Sequence, residues 1–280
     1  MNPRYESLKQ PLPLYTPKGL YYAAVRAFFR GPGRYSDGIR IGENYGYDSG
    51  VMLDYVYKNR PSGRGLFGKL IDRFYLNSVG WRGIRNRKAL SREILDEELT
   101  ELMKKRERID YLDIACGGAQ YDLEAIQTAG IEKIQAELRD YRSENLEAAR
   151  KNAIRLGVEG IVFQQADAFD SANYAPSSRD LIVSSGFWEI ISDDELVRGC
   201  LRDCARALRP GGRLIFTLQP RHPQLELIAR TLRSHTGEPW VMRLRSLDLF
   251  REWMEPLGLR YLRHRMEPCD IFGVAVAEKL

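Results

Sequence analysis

From residue 109 onward, short apolar runs alternate with longer segments in which apolar positions recur with the period of a helix. The short runs predict five strands, at residues 109–115, 134–138, 161–165, 180–184 and 213–218. Helices are predicted between them, and the clearest covers Ser143–Leu156, with Gly157 just past its end. Strands that alternate with helices at this spacing indicate a parallel sheet with helices on both faces.

Two further strands are predicted at the end of the chain, at residues 259–266 and 271–277. The turn between them, at Cys269 and Asp270, is too short for the crossover that parallel neighbours require, so these strands must pair antiparallel. The predicted fold class is therefore α/β, with a Rossmann-like, mostly parallel sheet that ends in a C-terminal antiparallel hairpin.

The first hundred residues have a different pattern, because glycine and proline interrupt them repeatedly. Helices are predicted there at residues 20–29, 52–57, 67–76 and 84–104. We interpret residues 1–104 as an N-terminal helical extension, or lid, laid against a module of residues 105–280.

The composition agrees with a globular protein. The chain has 280 residues, of which 44% are apolar, and it carries 43 Lys and Arg against 38 Asp and Glu. No apolar run approaches the ~20 residues of a membrane span, and the first residues lack the apolar core of a secretory signal. The cysteines form no disulfide or metal-binding pattern, which predicts a reducing, cytoplasmic setting. They are Cys116, Cys200, Cys204 and Cys269, of which Cys200 and Cys204 are expected on the buried face of one helix.

Charge and tyrosine are unevenly distributed along the chain. Residues 1–104 hold 18 Lys and Arg against 11 Asp and Glu, a net +7, and ten of the 15 tyrosines. Residues 105–280 hold 25 against 27, a net −2. The basic and aromatic excess therefore belongs to the predicted extension, and a functional hypothesis has to explain it there.

Small residues follow the first predicted strand. In an open parallel sheet, ligands bind beyond the carboxyl ends of the strands, where the strand order switches. The first strand ends at Asp113 and leads into a loop whose small residues let a ligand approach the backbone. The candidate contacts in that loop are Ala115, Gly117, Gly118 and Gln120.

Acidic residues follow the second and third strands. Asp140, beside Tyr141, suits the two ribose hydroxyls of an adenosine, because one carboxylate can accept both hydrogen bonds. Asp167 can accept a hydrogen bond from the adenine amino group, and Phe169, after Ala168, can cover the ring.

The fourth strand leads into another loop of small residues, Ser184, Ser185 and Gly186, with aromatic cover from Phe187 and Trp188. Each candidate alone has an ordinary structural explanation, as a solvated charge, a helix cap or a core aromatic. Four suitable loops at four successive strand ends together predict an adenosine-containing ligand.

These motifs resemble those of the class I S-adenosylmethionine-dependent methyltransferases. LDIACGGAQYD lies where that family has its glycine-rich motif, and Asp140, Asp167 and LRPGGRLIF match later landmarks. The resemblance covers roughly residues 105–280. It implies S-adenosylmethionine as the ligand, with no metal.

A narrower resemblance covers more of the chain. GYDSGVMLDYVYKNRPSGRG, YLNSVGWRGIRNRK and QPRHPQLELIARTLRSHTGEPWVMRLRS are similar to a methyltransferase family that is often attached to an α/β-hydrolase domain. The glycine loop departs from that family's pattern, since AAGHGRY is expected and ACGGAQY is present.

Methyl transfer does not require a covalent step on the protein. The sulfonium of S-adenosylmethionine is already an activated electrophile, so the enzyme mainly holds methyl and acceptor in line and excludes water. An O- or N-acceptor can need a general base, for which His222 is the best-placed candidate. A structural or solvated histidine beside Pro223 is the alternative interpretation.

Aromatic faces attract a sulfonium, which makes Tyr45, Tyr47 and Trp188 further candidates for the catalytic site. Packing of the extension is the alternative explanation for the tyrosines. Arg82 or Arg85 can pair with the methionine carboxylate or with a substrate acid, because a guanidinium fork fits a carboxylate. A solvated charge is the alternative interpretation for both.

Four functions remain open at this point. The first is methyl transfer to a small-molecule acceptor. The second is cyclisation of S-adenosylmethionine to azetidine-2-carboxylate with release of 5′-methylthioadenosine, the reaction of synthases similar to methyltransferases. The third is RNA methylation through the basic extension, although no RNA-binding module signature is present. The fourth is a non-enzymatic binder of an adenosyl ligand.

Overall fold

The computed structural model describes residues 3–280 of the chain, which form eleven α-helices and seven strands. The helices are α1 Pro3–Lys9, α2 Pro17–Arg30, α3 Asp37–Tyr45, α4 Gly50–Lys58, α5 Gly65–Leu76, α6 Val79–Met103, α7 Gln120–Ala129, α8 Ser143–Leu156, α9 Asp194–Ala207, α10 Leu225–Thr231 and α11 Leu247–Met254. The strands are β1 Ile109–Asp113, β2 Ile134–Asp140, β3 Val162–Gln165, β4 Arg179–Ser184, β5 Leu208–Leu218, β6 Leu259–Met266 and β7 Gly273–Lys279.

All seven strands belong to one sheet, in the order β3-β2-β1-β4-β5-β7-β6. The first five strands run parallel to one another, and β7 runs antiparallel between β5 and β6. The direction of winding reverses between β1 and β4, which is the position where open parallel sheets generally bind ligands. The predicted α/β class, with its C-terminal hairpin, is confirmed.

Two apolar layers cover the two faces of the sheet. On one face, α6, α7 and α8 pack on strand residues such as Tyr111 and Leu181. On the other face, α9 and α11 pack on Leu112 and Ile182, the next residues along the same strands. This alternation follows from the two-residue period of a strand. Both layers are apolar because a parallel sheet is buried on both faces.

The predicted buried cysteines lie as expected on α9, where Cys200 and Cys204 are both buried and neither forms a disulfide. The end of that helix differs in one respect from the prediction. The sequence predicts a helix at Asp193–Leu208 that is stopped by the Arg-Pro-Gly-Gly segment at residues 209–212. In the structure the helix ends at Ala207, and that segment belongs to β5, which begins at Leu208. The pairing of β4 with β5 shifts register between Arg179 and Leu181. Like a β-bulge, this shift leaves residues 209–212 of β5 without partners on β4.

The chain divides into two compact units. The first runs up to Arg85 and includes His222–Arg243, and the second comprises Asn86–Arg221 and Leu244–Leu280. The division falls within α6, whereas the domain boundary at residue 104 stays a prediction.

A buried aspartate organises the first unit. Asp72 on α5 accepts hydrogen bonds from the Ser36 hydroxyl (2.5 Å), the Gly38 N–H (2.9 Å) and the Ser62 N–H (2.8 Å). The Tyr55 hydroxyl donates to its second oxygen. Asp72 therefore ties the start of α3 to α4 and to the segment before α5. The apolar spacing did not predict α1 or α3, which are short and rich in polar residues and glycine.

None of the helices between residues 3 and 280 combines the length and the apolarity that crossing a bilayer requires.

Candidate functional site

The loop between β1 and α7 has an unusual backbone. Gly117 and Ala119 have left-handed φ angles of +54° and +49°. A Cβ at Gly117 would meet no atom within 4 Å, so the backbone angle favours glycine there and the space in front is open. Ala119 adopts the same conformation at a cost of about 1 kcal/mol, at the position where the pattern AAGHGRY has glycine.

Asp140, at the end of β2, reaches this loop. One carboxylate oxygen accepts the Gly117 N–H at 2.9 Å, and the other accepts the Arg142 N–H at 2.9 Å and the Asn145 side-chain amide at 3.0 Å. The structure therefore brings together two residues that sequence analysis selected independently, 23 positions apart. Their contact fixes the glycine loop against the end of the neighbouring strand.

The loops after β3 and β4 also meet. Asp167 accepts the N–H of Phe169 at 2.9 Å, which shapes the first of these loops. The rings of Phe169 and Phe187 lie 5.3 Å apart at 33°, joining the two loops through an aromatic pair. Gly186, with a φ of +73°, donates its N–H to the Thr217 hydroxyl on β5 at 2.7 Å.

The predicted cofactor contacts of the second unit differ in exposure. Those on the surface are Tyr141 and Asp167. Half-buried positions are Ala115, Gly117, Gly118, Gln120, Phe169, Ser185 and Gly186. Buried positions are Asp113, Asp140, Ala168 and Ser184. Trp188, selected as a catalytic candidate, is also buried, and its ring stacks on Phe250 with the centroids 5.7 Å apart. The roles assigned to these residues stay predictions.

A pair of buried carboxyl groups lies below the glycine loop. Asp113 at the end of β1 and Asp122 on α7 have no exposed surface and lie close enough for each to affect the ionisation of the other. Asp113 accepts the Ala115 N–H at 2.8 Å and the Tyr121 hydroxyl at 3.0 Å, and Asp122 accepts the Tyr111 hydroxyl at 2.5 Å.

Burial raises the pKa of both carboxyl groups in this pair. The pKa of Asp113 lies well above its usual range, because burial and the neighbouring Asp122 both disfavour its ionised form. Burial raises the pKa of Asp122 to about 6. Two carboxylates in contact cannot both ionise without strong repulsion, so the pair holds a proton that isolated carboxyl groups would have lost.

Four predicted site residues belong to the first unit. Tyr45 is 57% exposed, whereas Tyr47 is fully buried and donates its hydroxyl hydrogen to Glu43 at 3.2 Å. Arg82 is exposed on α6. The roles predicted for these residues, and for His222, stay predictions.

His222 has a defined protonation state. Its Nδ1 accepts the Gln224 N–H at 3.1 Å, so Nε2 carries the ring hydrogen of the neutral form. Burial lowers the pKa of His222 to about 4. To act as a general base, the ring would have to give up its hydrogen bond with Gln224.

Sequence analysis did not select two charged residues of the second unit, Arg87 and Glu189. They are 6% and 5% exposed and form an ion pair beside the loop that follows β4. The signal that could have indicated them is the carboxylate placed between the apolar Trp188 and Ile190, just past a strand that points at the predicted ligand site.

Comparison with known proteins assigns almost the entire chain to one protein family. The family model described as "Putative methyltransferase" matches residues 1–279. A protein of Escherichia coli K12, "Uncharacterized protein YnbC", is 38% identical over 272 residues, which are 95% of this chain and 46% of that protein. The chain therefore spans less than half the length of this relative.

Two solved structures have the same fold. A "possible exported protein" from Bordetella parapertussis has a TM-score of 0.66 at 22% identity, over 82% of this chain and 79% of that chain. The magnesium protoporphyrin IX methyltransferase of Synechocystis, solved with bound SAH, has a TM-score of 0.56 at 14% identity, over 92% of this chain and 99% of that chain.

Proposed function

Since this chain belongs to the methyltransferase family whose model it matches and has the class I fold, we propose that it transfers a methyl group from S-adenosylmethionine to a small-molecule acceptor. The proposed ligand site is the carboxyl edge of the sheet at β1, β2 and β4. The ligand supplies the activated methyl group, and the chain binds, orients and excludes water.

The observation that carries the proposal is the contact of Asp140 with Gly117. It sets a carboxylate beside a glycine loop with open space in front, next to the switch in strand order. A ribose fits such a carboxylate through its two hydroxyls. In the same proposal, the exposed Asp167 receives the adenine amino group, and Phe169 and Phe187 flank the ring.

The charge of the chain supports a small acceptor over a nucleic acid. Residues 105–280 carry a net charge of −2, and a phosphate backbone needs a concentration of cations along its path. The net +7 of residues 1–104 is spread over several helices. Two of its arginines have local partners: Arg40 pairs with Asp37 at 2.8 Å, and Arg85 donates to the Leu76 carbonyl at 2.9 Å.

The first experiment is titration calorimetry of the purified chain with S-adenosylhomocysteine. We expect a dissociation constant of about 1–100 µM, within the range of enzyme–substrate affinities. Incubation with S-adenosylmethionine and pools of small hydroxyl- and amine-bearing compounds, followed by mass spectrometry, should then reveal a product heavier by one methylene. Absence of S-adenosylhomocysteine binding would contradict the proposed ligand.

A second candidate is cyclisation of S-adenosylmethionine, and the state of His222 favours it. Transfer to many O- or N-acceptors needs a general base, yet the acceptor nitrogen of the predicted base already receives the Gln224 N–H. In cyclisation the ligand's own neutral amine attacks its γ-carbon, the carbon–sulfur bond breaks with its electron pair on sulfur, and methylthioadenosine leaves. Burial beside a sulfonium favours the neutral amine.

One incubation separates the two reactions. The protein is mixed with S-adenosylmethionine alone, and the products are identified by mass spectrometry. Methylthioadenosine together with azetidine-2-carboxylate, formed faster than in a protein-free control, would establish cyclisation. Unchanged S-adenosylmethionine would reject cyclisation, and the incubation with acceptor pools then tests methyl transfer.

A further inference from the structure

Glu189 is a buried carboxylate without a hydrogen-bond donor. It is 5% exposed, and neither of its oxygens receives a hydrogen bond from any residue between 3 and 280. The nearest cation is Arg87, 6% exposed, whose Nη1 lies 3.8 Å from Oε1. That distance is within ion-pair range but too long for a hydrogen bond, so the pair leaves hydrogen-bonding capacity unused.

The backbone on both sides of Glu189 is held in place by hydrogen bonds from Arg245. Arg245 donates to the carbonyl of Trp188 at 2.6 Å and to that of Ile191 at 2.8 Å, on either side of Glu189. The guanidinium of Arg245 is itself fixed by Asp194 at 2.7 Å. The short turn that carries Glu189 is therefore clamped at both ends, and the carboxylate stays buried.

Arg87 is also held in place. Its guanidinium carbon lies 4.8 Å from the centre of the Phe272 ring, which suits a cation–π contact. A Cβ at Gly186 would come within 2.6 Å of Nη2, so the guanidinium lies directly against the backbone at Gly186. The φ of +73° at Gly186 further restricts this position to glycine. Both members of the pair are thus positioned by neighbours at the carboxyl edge of the sheet.

The unused hydrogen-bonding capacity of Arg87 and Glu189 indicates which chemical groups a ligand would need here. A buried carboxylate without donors is costly, and the group that satisfies it best is an ammonium. A guanidinium presents a fork of donors that fits a carboxylate. An α-amino acid carries an ammonium and a carboxylate on the same carbon, and its two charges would balance the two charges of the pair.

We propose that Arg87 and Glu189 form the subsite for the zwitterionic amino-acid end of S-adenosylmethionine. Arg87 binds the α-carboxylate, and Glu189 binds the α-ammonium. This inference rests on the proposed methyl transfer from S-adenosylmethionine. It counts against cyclisation, because a carboxylate that binds the α-ammonium disfavours the neutral amine that cyclisation needs.

The other charged candidates fit this role less well. Asp113 has no exposed surface, and its two oxygens already accept from Ala115 and Tyr121. Arg85, selected with Arg82 from the sequence, donates to the Leu76 carbonyl at 2.9 Å. Arg87 and Glu189 are opposite charges at one place, beside the loop that leaves β4 at the switch point.

The test compares two ligands that differ at the amino-acid end. S-adenosylhomocysteine carries the zwitterion, and 5′-methylthioadenosine has the same nucleoside without it. Affinities of both are measured by titration calorimetry for the wild type, Glu189→Gln, Arg87→Gln and the double variant. The double variant removes both charges together, so it avoids leaving one buried charge unpaired. Glu195→Gln, at an exposed ion pair on α9, is the matched control.

We expect each single variant to bind S-adenosylhomocysteine about 10–100-fold more weakly, the usual effect of losing a charged hydrogen bond. Methylthioadenosine affinity should change by less than about twofold, and the control should match the wild type. Methylthioadenosine binding also reports that each variant is folded.

Two results would overturn the subsite. One is unchanged S-adenosylhomocysteine affinity in the variants, and the other is equal weakening of both ligands, which would indicate a structural role for the pair. A wild-type protein that binds neither ligand would instead contradict the proposed function, and the subsite with it.

Discussion

Buried carboxyl groups in the two units of this protein differ in how many hydrogen-bond donors surround them. Asp72 in the first unit and Asp113 and Asp122 in the second all have no exposed surface. Asp72 receives hydrogen bonds from two hydroxyls and two backbone N–H groups. Asp113 and Asp122 have three such donors between them and also face each other.

The difference separates a carboxylate that holds the fold together from carboxyl groups near the proposed ligand site. In the first unit, the donors around Asp72 come from the start of α3, from the segment before α5 and from neighbouring hydroxyls, so both of its oxygens are supplied with hydrogen bonds. At the carboxyl edge of the sheet, Asp113, Asp122 and Glu189 are left with fewer donors than they can use. Such shortage is common where a protein binds something else.

The substitution expected to have the largest effect is Asp72→Asn, which should lower the free energy of unfolding. The amide has nearly the shape of the carboxylate, but its NH₂ group would face donors, the Ser62 N–H and Tyr55 hydroxyl or the Ser36 hydroxyl and Gly38 N–H. We expect a loss of roughly 3–5 kcal/mol in the free energy of unfolding, as for other broken buried polar networks. Urea unfolding followed by circular dichroism measures it.

Asp248→Asn is the control for this substitution, because the Asp248 side chain is 92% exposed. The control should unfold within about 0.5 kcal/mol of the wild type. A similarly small change for Asp72→Asn would show that the first unit does not depend on its aspartate.

The sheet could be predicted from the sequence, because its signal is local. Alternating apolar runs and amphipathic helices mark each element, and Ser143–Leu156 was predicted with the bounds that the structure has. The meeting of Asp140 with Gly117 could also be anticipated, since parallel strands end at the same edge.

The pairing of charged side chains could not be predicted in the same way. Asp113 and Asp122 meet because α7 turns back over the end of β1, and Arg87 meets Glu189 across 102 positions of the chain. Partners so distant in sequence depend on side-chain direction and on the packing of particular loops. The hydrogen bond from the Gln224 N–H to His222 is short in sequence, but it depends on a local turn that the pattern of apolar residues does not encode.

A smaller effect is expected from Asp140→Ala, measured on ligand binding. Asp140 is 8% exposed and its oxygens hold the glycine loop through the Gly117 N–H. Losing it removes the proposed ribose contact and loosens the loop, so affinity for S-adenosylhomocysteine should fall by about 1–3 kcal/mol, or roughly 5–150-fold. Calorimetry at constant salt measures this, with Asp248→Asn as the reference. Unchanged affinity would place the ribose elsewhere and weaken the distinction between ligand-edge and fold-holding carboxylates.

The smallest effect expected is a gain of stability, from Asp122→Asn. Burial holds the pKa of Asp122 at about 6 in the folded protein, above its ordinary value of 3.8. The folded state therefore binds this proton more tightly than the unfolded chain does. Its contribution to stability is complete below pH 3.8 and is lost as the pH rises through about 6.

Asparagine at position 122 cannot ionise, so the variant would not lose stability as the pH rises through about 6. Its NH₂ group can donate to Asp113 at every pH, and its oxygen can still accept from the Tyr111 hydroxyl. We expect the variant to exceed the wild type by about 1–2 kcal/mol at pH 8 and to match it near pH 4. Urea unfolding from pH 4 to 8 checks this, with Glu124→Gln on the same helix as the control. If the two stability curves ran parallel across that range, the pair would hold no extra proton, and the sheet-edge carboxyl groups would resemble Asp72 after all.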